Sequence, residues 1–360
     1  MISKAVVVIA CILSLTWAIA VLGGNFQDVL NTPAIQSPFA MKTLLNGVAV
    51  AGKRIVCVGH YGDIVYSDDQ GKNWRQASVP LSSDLLSVFF ISAQKGWAVG
   101  HDGVVLHSSD GGATWVKQLD GRAASQVMAA YYAEHPCRPL RGAGAGRLMK
   151  EINRLVKGDL DKAFLDVCFE NETTGFIVGS FNLIFWTGDG GKTWEPWLDR
   201  TENQGFLHLE SIRSVGGDLF IAGEQGLVLK LDRRTGTFRR MKVPYNGSFF
   251  GVTGSSTKAL VVFGMRGNAF RSVDGGQSWK KVETGVTVGL MGETVTQDRR
   301  IVLVSQLGQL IASSDDGASF RLIDAEQDFP AGGVASVGRD KLAVVGILGV
   351  QVRELKSQSK

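Results

Sequence analysis

The chain has 360 residues, of which 45 are glycine and 8 are proline; 44% of residues are hydrophobic and 20% are charged. This composition excludes a wholly disordered chain. The chain has 38 Lys and Arg against 34 Asp and Glu, and this small excess excludes a protein that binds nucleic acid over its whole surface. Four cysteines are too few to hold a fold of this size together by disulfides. Many glycines with few prolines indicate tight turns between short strands.

The N-terminus has the pattern of an export signal. Lys4 precedes an apolar run from Ala5 to Leu22, which contains the small residues Ala18 and Ala20 near its end. The pattern predicts a signal peptide over residues 1–24, removed to leave a mature chain that starts between Val21 and Phe26. A retained N-terminal anchor stays open, because the run is just long enough to span a membrane. Either alternative places the rest of the chain outside the cytoplasm.

Three cysteines remain after the signal: Cys57, Cys137 and Cys168. An odd number leaves at least one thiol free. Cys57 and Cys168 lie in strand-like apolar runs, so we expect both to be small core residues.

One sequence pattern recurs along the chain. Its clearest copy, from Val99 to Trp115, reads apolar-Gly-x-x-Gly, a few alternating residues, then Ser-x-Asp-x-Gly-x-x-Trp. In six copies the first residue of the Gly-x-x-Gly position and the closing aromatic residue are 15 residues apart, and successive aromatics are separated by 41, 79, 44, 41 and 41 residues. A period near 41 with alternating apolar runs is typical of four-stranded propeller blades.

Each blade is expected to contain four antiparallel strands, A to D. Gly-x-x-Gly makes the B–C hairpin, because glycine adopts positive φ at little cost. The Ser-x-Asp-x-Gly-x-x-Trp segment, an Asp-box, makes the C–D hairpin: its carboxylate accepts backbone N–H groups, and its aromatic ring packs between blades. We therefore interpret the Asp-box residues as structural and not catalytic. They are Asp69, Trp74, Asp110, Trp115, Asp189, Trp194, Asp274, Trp279 and Asp315.

Counting the copies predicts an all-β fold, a seven-bladed β-propeller over residues 25–360. Six full blades run from Ala40 to Ile323, and a seventh has strands A to C between Val334 and Leu355. Phe26–Ile35 is the expected donor of the missing outer strand, which would join the two ends of the chain and remove the open sheet edge.

One segment, residues 121–159, lengthens the repeat between blades 2 and 3. It predicts a helical insertion, with Leu148, Ile152 and Leu155 on one face. The basic residues Arg147, Lys150, Arg154 and Lys157 lie elsewhere on the same helix. The segment holds seven Lys and Arg against three Asp and Glu, so its excess of +4 equals that of the whole chain. An eighth, decayed blade is the alternative.

Strand alternation puts the insertion and all B–C hairpins on one side of the propeller, opposite the Asp-boxes. The middle residues of the hairpins form a varied, largely polar set that we call the hairpin ring. It contains His60, Tyr61, His101, Asp102, Phe181, Asn182, Glu224, Gln225, Met265, Arg266, Gln306 and Leu307. Binding sites commonly lie on loops held by a rigid frame, and simple solvated tips are the alternative. His60, His101 and Asp102 lack metal-motif spacing, so we predict no metal or cofactor.

The segments VGHDGVVLHSSDGGATW and VGSFNLIFWTGDGGKTW resemble the blade signature of the photosystem II stability/assembly factor family, exported seven-bladed propellers. The resemblance covers most of residues 41–356. It implies a non-catalytic protein-binding propeller, monomeric in our expectation, that helps to assemble a membrane complex from the periplasm or thylakoid lumen. The partner is expected to be a membrane protein subunit. Photosystem II is the expected target in a photosynthetic source, and an envelope complex or transporter in any other.

Partner binding is predicted at His60, Tyr61, His101, Asp102, Asn182, Glu224 and Arg266, together with the four basic residues of the insertion. That basic, partly apolar helix suits an acidic protein segment or an anionic membrane surface.

Asp-boxes also occur in sialidases, so a sialidase-like or other glycoside hydrolase is the alternative function. The Phe/Tyr-Arg-Ile-Pro signature of sialidases is missing from this sequence. Other glycosidases use two opposed carboxylates. Asp102 and Glu224 are the acids of the hairpin ring, and Asp84, Asp166 and Glu210 lie near the A strands.

Overall fold

The computed structural model describes residues 27–135, 143–158, 161–255 and 259–355. The predicted signal peptide and Cys137 lie outside these residues. Within them, 27 strands form seven antiparallel sheets, six of four strands and one of three, as expected for a seven-bladed propeller.

In each blade the strands follow one another in chain order from the inner strand A outwards. Blade 1 contains β1 (Leu45–Ala51), β2 (Arg54–Gly59), β3 (Ile64–Ser67) and β4 (Arg75–Gln76); blade 2 contains β5 (Leu85–Phe90), β6 (Gly96–Gly100), β7 (Val105–Ser108) and β8 (Val116–Leu119). Blade 3 contains β9 (Phe164–Phe169), β10 (Gly175–Gly179), β11 (Ile184–Thr187) and β12 (Glu195–Pro196); blade 4 contains β13 (Leu209–Val215), β14 (Asp218–Gly223), β15 (Val228–Asp232) and β16 (Thr237–Arg240).

The last three blades follow the same order. Blade 5 contains β17 (Phe249–Thr253), β18 (Leu260–Gly264), β19 (Ala269–Ser272) and β20 (Lys280–Val282); blade 6 contains β21 (Leu290–Val295), β22 (Ile301–Ser305), β23 (Leu310–Ser313) and β24 (Arg321–Asp324). Blade 7 contains β25 (Ala331–Val337), β26 (Lys341–Gly346) and β27 (Gly349–Glu354).

The core lies between neighbouring blades. The B strands are apolar on both sides, and β6, β10, β18 and β22 are buried along their whole length. A strand with a neighbouring blade on each face has no solvated side, so a continuous apolar run replaces the usual alternation. Cys57 and Cys168 are buried free thiols in this core, as predicted.

The B–C hairpins use glycine in two different ways. In blade 2, Gly103 has φ 64°, the left-handed conformation that glycine favours. Gly100 is extended, and it is needed because a Cβ there would lie 2.0 Å from the Asp84 carbonyl oxygen. The left-handed residue at the tip is Asp102, with φ 56°. The predicted hairpin is confirmed, but part of its strain falls on a non-glycine residue.

The Asp-box of blade 2 has the predicted turn chemistry. Asp110 Oδ1 accepts the backbone N–H groups of Ala113 and Thr114, both at 3.0 Å, and the Ser108 hydroxyl donates to the same carboxylate. Trp115 is buried, and its indole Nε1 donates to the Gly112 carbonyl at 3.0 Å. Asp69, Asp189, Asp274 and Asp315 accept equivalent bonds in blades 1, 3, 5 and 6.

The insertion is helical, which excludes an eighth blade. Helix α1 (Gly121–Glu134) and helix α2 (Ala143–Lys157) both lie between β8 and β9. Asp120 caps α1 by accepting the Ala123 N–H at 3.1 Å. Leu148, Ile152 and Leu155 of α2 are buried against α1 and blade 3, as the apolar stripe predicted.

The prediction that Phe26–Ile35 donates the outer strand of blade 7 is wrong for the described part, which starts at residue 27. This segment runs along blades 1 and 2: Ala34 donates to the Val79 carbonyl at 3.2 Å, and the Val29 carbonyl accepts from Ser82 at 2.9 Å. Leu30 and Ala34 are buried in the core between those blades. Blade 7 therefore has three strands within the described residues, and apolar packing of β1 on β25 and β26 closes the ring.

Candidate functional site

The hairpin ring and the insertion share one side of the propeller, which we call the hairpin face. The Arg154 guanidinium of α2 lies 5.1 Å from the centre of the Phe181 ring, at the tip of the blade 3 hairpin. The Gly103 N–H of the blade 2 hairpin donates at 3.0 Å to the carbonyl of Lys162, in the connection after α2. These contacts confirm that helix and hairpins occupy one surface.

The blade 1 tip is exposed and partly ordered by Asp84. The Asp84 carboxylate accepts the Tyr61 backbone N–H at 2.8 Å and lies 3.7 Å from His60 Nε2. The Tyr61 side chain is exposed to solvent. Its backbone is in the left-handed conformation, with φ 56°. Both side chains are therefore accessible to a partner.

The blade 2 tip has one free and one held side chain. His101 is exposed, whereas the Asp102 carboxylate accepts the Ser83 hydroxyl at 2.6 Å. Asp102 is held by its neighbour, which leaves His101 as the more available group.

Asn182 does not belong to an exposed ring. Its side chain is buried, its Nδ2 donates to the Leu198 carbonyl at 3.0 Å, and its Oδ1 accepts from Thr201 and Asn203, both at 2.9 Å. Asn182 ties its hairpin to the connection that follows blade 3, so its predicted role in partner contact is wrong. The half-buried Phe181 takes its place at the surface, between Arg154 and His208.

Glu224 lies in a cluster with His208 and Glu210. The ligand atoms of these three side chains lie within 4.8 Å of one another, and Glu224 also accepts the His208 backbone N–H at 2.8 Å. Burial, with the neighbouring Glu224 carboxylate, raises the pKa of Glu210 to about 7. Imidazole with two carboxylates is a donor set that a divalent cation can use. His208 was missed in the sequence because it lies before strand β13, outside any repeated motif.

Arg266 is exposed at the blade 5 tip beside Met265, as predicted. The next tips present Gln306 and Leu307 in blade 6, and Ile347 with Leu348 in blade 7. The blade 7 pair sits in a two-residue turn between the paired Gly346 and Gly349.

The basic residues of α2 face outwards. Arg147, Lys150 and Lys157 are exposed. Arg154 is already engaged: its Nε donates to the Glu151 carboxylate at 3.0 Å, and its guanidinium packs on Phe181. Three of the four predicted cations are therefore available as free charges, and the fourth fixes α2 against the hairpin ring.

Charged side chains from different blades fill the central channel. Their contacts with one another could not be seen in the sequence. Arg213 of blade 4 contacts Asp166 of blade 3, and its Nε lies 2.7 Å from Oε1 of Glu293 in blade 6. Asp166 also accepts the Ser87 hydroxyl of blade 2 at 2.7 Å. The cavity around these groups is only about 130 Å³ and is lined by the A strands of all seven blades. This network holds blades together and leaves little room for a ligand.

The acids considered for a glycosidase do not form a clear catalytic pair. Asp84, Asp102 and Asp166 each accept hydrogen bonds from neighbouring protein groups. Glu210 and Glu224 lie close together in one cluster with His208, and their ligand atoms are within 4.8 Å of one another instead of being opposed across a substrate-sized gap. The five Asp-box carboxylates are engaged in their own turns.

Comparison with known proteins gives consistent results. The family described as "Photosynthesis system II assembly factor YCF48" matches residues 66–130 and 147–330. A relative named "Photosystem II assembly lipoprotein Ycf48", from Synechococcus sp. (strain CC9902), is 30% identical over 42% of this chain and 46% of its own length. The match thus spans about half the length of that relative.

Solved structures show the same fold. "YCF48 bound to D1 peptide" superimposes with a TM-score of 0.62 at 17% identity, over 90% of this chain and 96% of that one. "YCF48 from Cyanidioschyzon merolae" gives 0.63 at 16% identity, over 89% and 97%. None of these relatives supports the sialidase alternative. In the described part of the chain, no helix has the length and apolarity to cross a bilayer.

The family match covers well over half of the sequence. It agrees with the repeats, the seven blades and the Asp-box turns. The chain belongs to the photosystem II assembly factor YCF48 family.

Proposed function

We propose that this chain is a non-catalytic, exported assembly factor that binds a segment of a membrane protein subunit on its hairpin face. The observation that carries the proposal is the combination of exposed cations on α2 with an irregular set of tips on one surface. The Asp-box carboxylates serve the fold, so the acids that recur from blade to blade do not form a catalytic site. We expect the protein to act in the periplasm or, in a photosynthetic source, in the thylakoid lumen.

Family membership supports the choice of partner. One structure of the family holds a D1 peptide. We propose that the corresponding partner of this chain is D1, or the membrane subunit that takes its place in a non-photosynthetic source. An extended segment could lie across the tips of blades 1 to 4, contacting His60, Tyr61 and His101. Its acidic groups would pair with Arg147 and Lys150.

The proposal is tested by charge reversal. The variant Arg147→Glu/Lys150→Glu/Lys157→Glu is compared with Lys53→Glu/Lys72→Glu/Lys192→Glu, which makes the same charge change at exposed lysines on the Asp-box face. The probes are the D1 peptide and detergent-solubilised membranes of the source organism. Arg154 is left intact because it orders α2.

We expect the α2 variant to bind the D1 peptide, or the co-purifying membrane subunit, at least tenfold more weakly than wild type. The difference should be larger at low salt, where charges are least screened. The control should bind like wild type, and both variants should melt normally because exposed charges add little stability. Equal binding by both variants would exclude α2 as the partner site.

A further inference from the structure

Exposed apolar side chains are concentrated on the hairpin face. Six large apolar residues there are between 36% and 69% exposed: Phe39, Tyr61, Met265, Leu307, Ile347 and Leu348. Five of them are hairpin tips of the consecutive blades 5, 6, 7 and 1. We call these six residues the apolar arc. Phe39 lies at its rim, since the next turn brings the Met41 carbonyl against Gly349 of the blade 7 hairpin.

The other surfaces lack such a grouping. Among the described residues, the other exposed large apolar side chains belong to several separate places: Val29 and Ile35 in the N-terminal segment, Val116 and Leu322 on outer strands, Val273 in the Asp-box of blade 5 and Val295 at the end of β21. These are scattered single positions, which are normal on a soluble surface. A run of apolar tips on successive loops is different, because such patches usually mark a protein or membrane contact.

The positive charge on the hairpin face suits a membrane surface. The free cations of α2 lie on the same face, and Lys42 and Arg266 are exposed within or beside the apolar arc. Exposed acids also lie on connections of this face, namely Glu202, Glu283, Glu326 and Asp328, so the positive charge is strongest at α2.

We propose that the hairpin face docks on an anionic lipid bilayer, with the apolar arc inserted at the headgroup level and α2 held over the surface by its cations. Apolar side chains on loop tips supply insertion, and nearby Lys and Arg residues supply attraction to anionic headgroups. The Asp-box face would then point away from the membrane. The inference needs no protein partner, so it can fail while the proposed function stands.

The test is flotation of the mature, exported protein with lipid vesicles. The vesicles contain either phosphatidylcholine alone or a mixture with phosphatidylglycerol. The test variant is Met265→Ser/Ile347→Ser/Leu348→Ser. The matched control is Val116→Ser/Val273→Ser/Leu322→Ser, which removes three exposed apolar side chains from other surfaces.

Wild type and control should float with the anionic vesicles, and the test variant should partition at least about tenfold less. Arg147→Glu/Lys150→Glu should weaken flotation only with anionic vesicles. All variants should keep the wild-type melting temperature, because the changed side chains are solvated.

Two outcomes would overturn the proposal. One is equal flotation of wild type and the test variant, which would place membrane affinity elsewhere in the chain. The other is no flotation of wild type. If the test variant floats like wild type but loses the membrane subunit that wild type captures, the apolar arc is a protein interface and not a lipid one.

Discussion

At each intact Asp-box, one carboxylate takes the place of several backbone partners. Asp274 accepts the N–H groups of Gln277 and Ser278 and the hydroxyl of Ser272. A tight turn leaves these N–H groups without backbone acceptors, and a short acidic side chain at that position satisfies them. The carboxylate uses its acceptor positions on hydrogen bonds within the turn. An acid that recurs at this position therefore does not indicate catalysis.

The Asp-box tryptophans are not equivalent, and this gives a first prediction. Trp115 is buried in the core between blades 1 and 2, and its backbone N–H donates at 3.0 Å to the carbonyl of Ser78, just after the outer strand of blade 1. Trp74 is only half-buried, packed on Val350 and Val352 of the three-stranded blade 7. Trp115→Ala should lower the free energy of unfolding by about 3–5 kcal/mol. Trp74→Ala should cost about half as much in urea titrations, and an equal cost would mean that Trp74 has a further covering strand.

Acid sensitivity of the turns gives a second prediction. Hydrogen bonds from Ser278 and Ser272 lower the pKa of Asp274 to about 2. A carboxyl whose folded pKa lies below its unfolded value, about 4, stabilises the fold above pH 4 and loses that contribution as pH falls towards 2. Asp274→Asn should therefore flatten the fall in unfolding free energy between pH 4 and pH 2. Urea titrations at several pH values measure this slope, and an unchanged slope would contradict the assigned bonds.

At the scale of elements, helix α2 attaches to the propeller through one face and presents its charged residues on the other. Its apolar stripe is buried against α1 and blade 3, and its free cations face solvent. An insertion held only by such a stripe can detach without unfolding the propeller, because the strands around it keep their own partners. Its position over the hairpin ring then depends on a small number of contacts, including that of Arg154 with Phe181.

This arrangement gives a third prediction. Ile152→Ala removes a fully buried side chain and should weaken the docking of α2 by about 2–4 kcal/mol. The effect should appear as faster hydrogen exchange in α1 and α2, with little change in blades 4 to 6. Arg147→Glu is the control on the same helix, and its effect should stay within about 0.5 kcal/mol. Uniformly faster exchange in all blades would mean that the insertion is part of the global folding unit.

At the scale of the whole molecule, the repeats predicted the blades because the turn chemistry is local. Within 15 residues, the sequence contains both hairpins and the aromatic residue that packs beside them. Asn182 was misassigned because its burial depends on a later connection that carries Thr201 and Asn203. The course of residues 27–35 was also mispredicted, since an extended segment carries no local signal for which blade it will join.

The channel network was beyond sequence reasoning for the same reason. Arg213 meets Asp166 and Glu293 over separations of 47 and 80 residues, and no spacing rule links them. Only the closure of the ring brings these side chains together. Sequence reasoning could place Asp166 near an A strand, but it could not identify its partners.

That network gives a fourth prediction, about how the blades hold together. Burial raises the pKa of Glu293, and the Arg213 guanidinium offsets only part of that rise. Arg213→Met would leave two carboxylates facing each other across the channel without their cation. Removing one partner of a buried pair typically costs about 3–5 kcal/mol, and we expect about 3 because the channel leaves the guanidinium partly accessible. In the variant, the rise that burial causes in the pKa of Glu293 is no longer offset by the guanidinium, so the deficit should be full at pH 7 and shrink as pH falls towards 4. Arg239→Met, which breaks an exposed pair with Glu202, should change stability by less than about 1 kcal/mol.

Adding Asp166→Asn and Glu293→Gln to Arg213→Met should restore much of the loss at pH 7. If urea titrations show Arg213→Met and Arg239→Met to be equally mild at pH 7, the channel ions contribute little, and apolar packing between blades alone holds the ring closed.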